Sequence, residues 1–261
     1  MFKWLRRYQR RRYSQRTLPS TWTTTLARTA RFRDRLAPRL RAKLDRAVTI
    51  FVEEKNWEGC GGLVIQDEHR VTIAAHASRL TLGFEEDYWD DVQSILVYPT
   101  PYIAPTQEPI GSGLVLEGES DRVGEAWYRG PIVLAWSDIS DCCEPSLNPS
   151  NVILHEFAHQ LDYRNGSDAD GIPPMESREQ ADEWIEVCQR AYERLCLAYE
   201  RRQSTALDDY GATSQAEFFA VATESFFETP HRVASQWPDL FAVLSRFYRQ
   251  DPRDQTPETP Q

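Results

Sequence analysis

No run of 18 or more apolar residues occurs in the chain, which argues against a membrane-spanning helix. The basic N-terminus is not followed by a continuous apolar segment, so it does not read as a secretory signal. Cysteine is sparse and poorly placed for a disulfide framework. Cys60, Cys142, Cys143, Cys188 and Cys196 are odd in number, contain no C-x-x-C pair and include two direct neighbours. A reducing, cytoplasmic setting is expected, with these thiols structural rather than metal-ligating. Internal repeats are also missing. Acidic residues are absent from positions 1–16, which carry +7 from Lys3, Arg6, Arg7, Arg10, Arg11, Arg12 and Arg16. The net charge is −10, so the rest of the chain carries −17, an acidic body unsuited to binding nucleic acid directly. The head, residues 1–16, reads as a solvated, poorly ordered basic tail. Trp4, Leu5, Tyr8 and Tyr13 within it keep open a contact with anionic lipid, RNA or an acidic partner.

What is present is ordinary globular material. The 261 residues are 41% hydrophobic and 27% charged, enough for a sizeable core. Helical spacing of apolar residues appears in 36–55, 67–82, 178–202, 214–227 and 237–248. In 178–202 the inward set is Trp184, Val187, Cys188, Ala191, Leu195 and Tyr199. Short strands are expected at 63–65 after the Gly59–Gly62 turn, and at 94–98, 113–116 and 130–136. Residues 165–174 and 203–213 read as polar loops and 250–261 as a disordered tail. The order of elements gives an α+β fold, mostly helical with a small mixed sheet. One domain spans 17–250, divided into an N-terminal part (17–150) and a part bearing the main motif (151–250), followed by a tail at 251–261.

The organising stretch is 151–166, N-V-I-L-H-E-F-A-H-Q-L-D-Y-R-N-G. Val152, Leu154, Ala158 and Leu161 make it helix-periodic, Ser150 is a plausible N-cap and Asn165-Gly166 a stop signal. His155 and His159, four apart, lie on one helical face, with Glu156 about 100° around. Two imidazoles and an adjacent carboxylate are the set a hydrolytic zinc site uses. The bland alternative is a polar stripe on a core helix, but a buried Glu beside two His needs compensation. His69 and His76 are seven apart with no third ligand nearby, so they read as ordinary histidines.

A catalytic zinc requires a third protein ligand. Position 165 is Asn, which rules out a third His six residues beyond His159. Glu217 is the best candidate, but Ser214-x-x-Glu217 is equally a capping box. Glu224, two turns further on, is either the ligand itself or an acceptor for a His N–H. Asp162 reads as a supporting polar contact, not a ligand.

Several stretches resemble the Mlc titration factor A family of zinc-dependent, gluzincin-type peptidases. They are Trp57-Glu58-Gly59-Cys60-Gly61-Gly62, Ser94-Ile95-Leu96-Val97-Tyr98-Pro99, Gly124-Glu125-Ala126-Trp127, and His155-Glu156-Phe157-Ala158-His159-Gln160-Leu161-Asp162. Asp209-Tyr210-Gly211-Ala212-Thr213 and Ala216-Glu217-Phe218-Phe219-Ala220-Val221 complete the set. The likeness runs from about position 55 to 250, leaving the arginine cluster and the Pro-rich tail outside. It implies a zincin-like metallopeptidase domain, zinc on His155, His159 and Glu217, Glu156 as general base and Tyr210 as electrophilic donor. It also implies a peptide or protein substrate, and a role in glucose-uptake control through binding a transcriptional repressor. In some gluzincins an Asp stands four residues after the third ligand; this chain has Val221, so that support must come from elsewhere. From position alone, 131–135 is expected to offer an edge for an extended peptide.

Overall fold

The computed structural model describes residues 3–85, 88–110, 114–122, 124–126, 130–142, 150–166 and 168–255. Trp127, Cys143, Gly113 and 256–261, each part of an expectation above, lie outside the described residues. Three helices open the chain: α1 (Lys3–Ser14), α2 (Ser20–Thr29) and α3 (Pro38–Glu54). They are followed by β1 (Asn56–Gly59), α4 (Asp67–Leu80), β2 (Ser94–Tyr98), β3 (Tyr102–Ile110), β4 (Leu114–Arg122), β5 (Gly124–Ala126), β6 (Ile132–Ala135) and α5 (Trp136–Cys142). The remainder is helical: α6 (Val152–Asp162), α7 (Arg178–Glu200), α8 (Gln215–Glu228), α9 (Pro230–Gln236) and α10 (Pro238–Tyr248). This is an α+β architecture in which helices dominate. No helix among the described residues is long and apolar enough to cross a membrane.

One sheet has the order β1-β2-β6-β5, with β1, β2 and β6 parallel and β5 antiparallel to β6. β3 and β4 form a separate antiparallel hairpin. Because β6 is paired on both sides, by β2 and by β5, the expected free edge at 131–135 does not exist, and among the described residues β5 is the last strand at that end of the sheet. The expected strand at 63–65 is also displaced, to Asn56–Gly59. Of those four residues only Trp57 favours a strand; their register is set by pairing with Ser94–Val97. The chain then reverses through Gly61 and Gly62, both at positive φ, which only glycine adopts without strain. It returns so closely that a Cβ on Gly59 would lie 2.0 Å from the Leu63 carbonyl oxygen.

α6 occupies the centre of the core. Every residue from Val152 to Asp162 except His155 is buried, among α4, α8 and the sheet. Phe157 anchors it, with its ring centroid 4.7 Å from Trp89 and 5.8 Å from Phe51 of α3. Burial on all sides is what a helix walled in by other elements requires.

The basic head is not an unstructured tail but α1, packed on α3. Arg10 bridges Glu54 (2.6 Å) and Asp90, Arg6 meets Asp90 (3.1 Å), and Arg16 meets Glu53 (2.9 Å). Pairing with acids of the body supplies the order that composition alone does not indicate. At the other end, Pro252–Gln255 forms a short 3-10 turn with Pro252 and Gln255 buried, so 250–261 is not uniformly a loose tail. Tyr199, expected to face inward on α7, is 58% exposed.

Candidate metal centre

Construction of the site begins at the N-terminus of α6. Its cap is Asn151, not Ser150: the Asn151 side chain accepts the Leu154 N–H at 3.2 Å. From this start, one helical turn separates His155 from His159, and their Nε2 atoms stand 3.3 Å apart. Glu217 arrives from the first turn of α8. Ser214 caps that helix by accepting the Glu217 N–H at 3.1 Å, while the Glu217 carboxylate turns to the imidazoles. Its Oε2 is 2.9 Å from His155 Nε2 and its Oε1 is 3.6 Å from His159 Nε2. Only half of the capping box forms: Ser214 accepts the Glu217 N–H, while the Glu217 carboxylate, which the box would return to the Ser214 backbone, faces the imidazoles instead.

Whether these donors suit a metal can be judged from distances. Two ligands about 2.05 Å from a tetrahedral zinc lie about 3.3 Å apart. The observed separations bracket that value, and the three ligating atoms all fall within 4.8 Å of one another. The set is nitrogen and carboxylate oxygen, with three protein donors, which matches a centre that retains an open position. His155, His159 and Glu217 can hold a metal ion.

Behind this set stands Glu224, two turns along α8 from Glu217. Its Oε1 lies 2.6 Å from His155 Nδ1, and its Oε2 accepts the Asn151 N–H at 2.7 Å. Of the two readings of Glu224, the supporting one is realised. Val221, which has no carboxylate to offer, lies against Gly211 instead. Asn151 is the residue missed from sequence. Besides capping α6 and meeting Glu224, its Nδ2 donates to His76 Nδ1 (2.9 Å) and Glu228 Oε1 (3.0 Å). Asx enrichment at N-caps was the available signal, but Ser150 competed for it one position earlier.

His76 also donates from Nε2 to the Thr29 carbonyl at 2.8 Å, and His69 Nδ1 accepts the Gln66 N–H at 2.9 Å. Both are structural, as expected. Asp162 accepts the Gly171 N–H at 2.8 Å, and burial pushes its carboxyl up to about 6. It ties 168–174 to α6 and is not among the converging atoms.

Electrostatics follow from this crowding. Burial by itself lowers the His155 pKa, but hydrogen bonds to Glu217 and Glu224 hold it up to about 10 in the metal-free chain. Burial by itself raises the Glu217 carboxyl, but His155 and His159 bring it down to about 2. Glu156 is buried on α6, close enough for its charge to act on His155 and Tyr210.

Tyr210 belongs to a 3-10 turn, Asp209–Ala212, capped by Asp208, whose carboxylate accepts the Tyr210 N–H at 2.9 Å. Its ring centroid is 6.1 Å from that of His155, and it is 54% exposed. Burial, then the charges of Glu217 and Glu156, push its pKa above the ordinary value, so the phenol keeps its proton. Gly211 brings the turn in: a Cβ there would meet Leu195 at 3.1 Å and Val221 at 3.2 Å. A cavity of about 540 Å³ lined by Leu161, Trp184 and Phe247 lies elsewhere and includes none of these residues.

With the geometry established, comparison with known proteins decides the family. A sequence profile described as glucose-regulated metallo-peptidase M90 matches residues 3–249. The chain belongs to the glucose-regulated metallo-peptidase M90 family. An M90 profile starting at residue 3 also corrects the extent of the resemblance, since it takes in the arginine-rich helix α1. Among similar proteins is an uncharacterized protein of Synechocystis sp. (strain ATCC 27184 / PCC 6803 / Kazusa). It is 36% identical over 240 residues, 91% of this chain and 86% of the relative. Mlc titration factor A of Serratia proteamaculans (strain 568) is 34% identical, covering 85% of this chain and 88% of that one. Mlc titration factor A of Yersinia pestis (strain Pestoides F) is 31% identical, covering 83% and 81%.

Proposed function

We propose that this M90-family chain is a zinc-dependent peptidase with a zincin-like catalytic domain, held together by His155, His159 and Glu217. The observation that carries the reading is the convergence of two imidazoles from α6 and one carboxylate from α8, beside the buried Glu156. Zinc in that position would supply Lewis acidity, polarising a peptide carbonyl and lowering the pKa of water toward about 7. Glu156 takes the proton of the attacking water and passes it to the departing amine. Tyr210 donates its O–H to the oxyanion that develops on the scissile carbonyl. Glu224 keeps the proton of His155 on Nδ1, leaving the Nε2 lone pair for the metal. Among the described residues Cys60, Cys188 and Cys196 are free, which fits work in the reducing cytoplasm.

A second reading, capture of a transcriptional repressor with peptide cleavage secondary, is favoured by the name Mlc titration factor A borne by relatives. Keeping Glu156 next to an intact ligand set supports the enzyme, since binding alone has no use for a proton acceptor there. The test is metal analysis of purified protein alongside cleavage of a peptide library. One zinc per chain with chelator-sensitive cleavage supports the peptidase. One zinc per chain without cleavage, and with repressor capture in a binding assay, supports the second reading.

A further inference from the structure

Helix α1 has two unlike faces. Arg6 and Arg10 point to the body and are satisfied there by Asp90 and Glu54, with Arg10 stacked 4.7 Å over the Tyr88 ring. The opposite face carries Trp4, 67% exposed, and Tyr8, 57% exposed, one turn apart. At 100° per residue, Arg7 and Arg11 run along one flank of this aromatic pair and Arg12 along the other. All three arginines are exposed and make no ion pair among the described residues. The acids under the helix are already matched by Arg6, Arg10 and Arg16, so the outward charge is not cancelled locally.

We propose that α1 seats the protein on an anionic lipid surface, with Trp4 and Tyr8 entering the headgroup region and Arg7, Arg11 and Arg12 meeting lipid phosphates. An aromatic centre between rows of arginine is the pattern of an interfacial helix. At twelve residues the helix is roughly 18 Å long. The outward residues all lie on one helix, whereas an acidic peptide is best enclosed between two elements. A plane, by contrast, needs only one exposed face. The −17 carried by the rest of the chain does not oppose this, because charges beyond about 8 Å are screened at physiological salt. That acidic body disfavours a long nucleic acid, which would have to pass over it.

The test is sedimentation of the full chain with vesicles of phosphatidylcholine, with and without phosphatidylglycerol. Binding is expected only where the anionic lipid is present, weakening as salt is raised. Each exposed arginine contributes about fivefold to partitioning. The triple change Arg7→Ala, Arg11→Ala, Arg12→Ala should therefore lower binding on the order of 10²-fold, while three Arg→Lys changes restore most of it. Trp4→Ala with Tyr8→Ala should lower binding by about tenfold. Melting temperature and metal content should match the unaltered chain in every variant, since these side chains face solvent. The proposal is overturned if the unaltered chain stays in the supernatant with anionic vesicles, or if the triple alanine variant binds as well. Binding to a short oligonucleotide but not to vesicles would overturn it too.

Discussion

Replacing Glu224 with Gln removes one charge and changes almost no volume, so its effect isolates the hydrogen bonding behind His155. The carboxylate accepts at both oxygens, from His155 Nδ1 at 2.6 Å and the Asn151 N–H at 2.7 Å. An amide has one oxygen and one NH2 group, so it can accept only one of these hydrogen bonds. If the oxygen stays with His155, a donor faces the buried Asn151 N–H at the start of α6, costing about 1–3 kcal/mol of stability. If it turns to Asn151, the NH2 group faces Nδ1, which must then give up its proton. The neutral ring would carry its hydrogen on Nε2, the atom needed by the metal. Losing a supporting partner of this kind lowers metal affinity about 10–100-fold, or roughly 1.4–2.7 kcal/mol. Zinc titration against a fluorescent chelator, beside urea unfolding of the metal-free protein, measures both consequences. A Glu224→Gln protein with zinc affinity within twofold of the parent and unchanged stability would refute the reasoning.

Other expectations concern neighbouring groups. Tyr210→Phe should lower kcat about 10²-fold with little change in KM; a raised KM with kcat intact would make Tyr210 a substrate contact. Asn151→Ala should cost about 1–2 kcal/mol from the lost cap and weaken zinc binding as Glu224 loosens, measured by urea and chelator titrations. If stability falls but zinc affinity holds, Asn151 serves the helix alone. For the metal-free chain, the raised pKa of His155, about 10 against an ordinary 6.5, adds stability that is complete below 6.5 and lost as pH rises through 10. The lowered pKa of Glu217, about 2 against 4.5, adds stability that is complete above 4.5 and lost as pH falls through 2. The melting temperature of chelator-treated protein should therefore fall from pH 6.5 to 10 more steeply than that of His155→Asn. Parallel profiles would contradict the assignment.

Much of the site was legible because its signals are local. The 3.6-residue period of 151–162 placed His155 and His159 on one face without any tertiary information. Glu217 was legible only as a pair of alternatives, since a cap and a ligand share the same letters until α6 and α8 are brought together. Glu224 was ambiguous for the same reason. The fold was harder where tertiary contacts override propensity. α2 is rich in threonine, a poor helix former. It is held by Trp22 Nε1 donating to Asp67 at 2.9 Å and by the burial of Trp22, Leu26 and Thr29 where the helix packs on α4. β1 is a strand because β2 pairs with it, and α1 is ordered because Glu54 and Asp90 meet its arginines. None of those partners is visible in the segment itself.

The central claim is that Glu156 moves the proton in a reaction supported by His155, His159 and Glu217. Its most direct test is the rate of peptide hydrolysis by the Glu156→Gln protein with zinc bound in full. A drop of about 10²–10⁴-fold at unchanged zinc content is the expected result. Cleavage at the parent rate by that zinc-loaded variant would contradict the account.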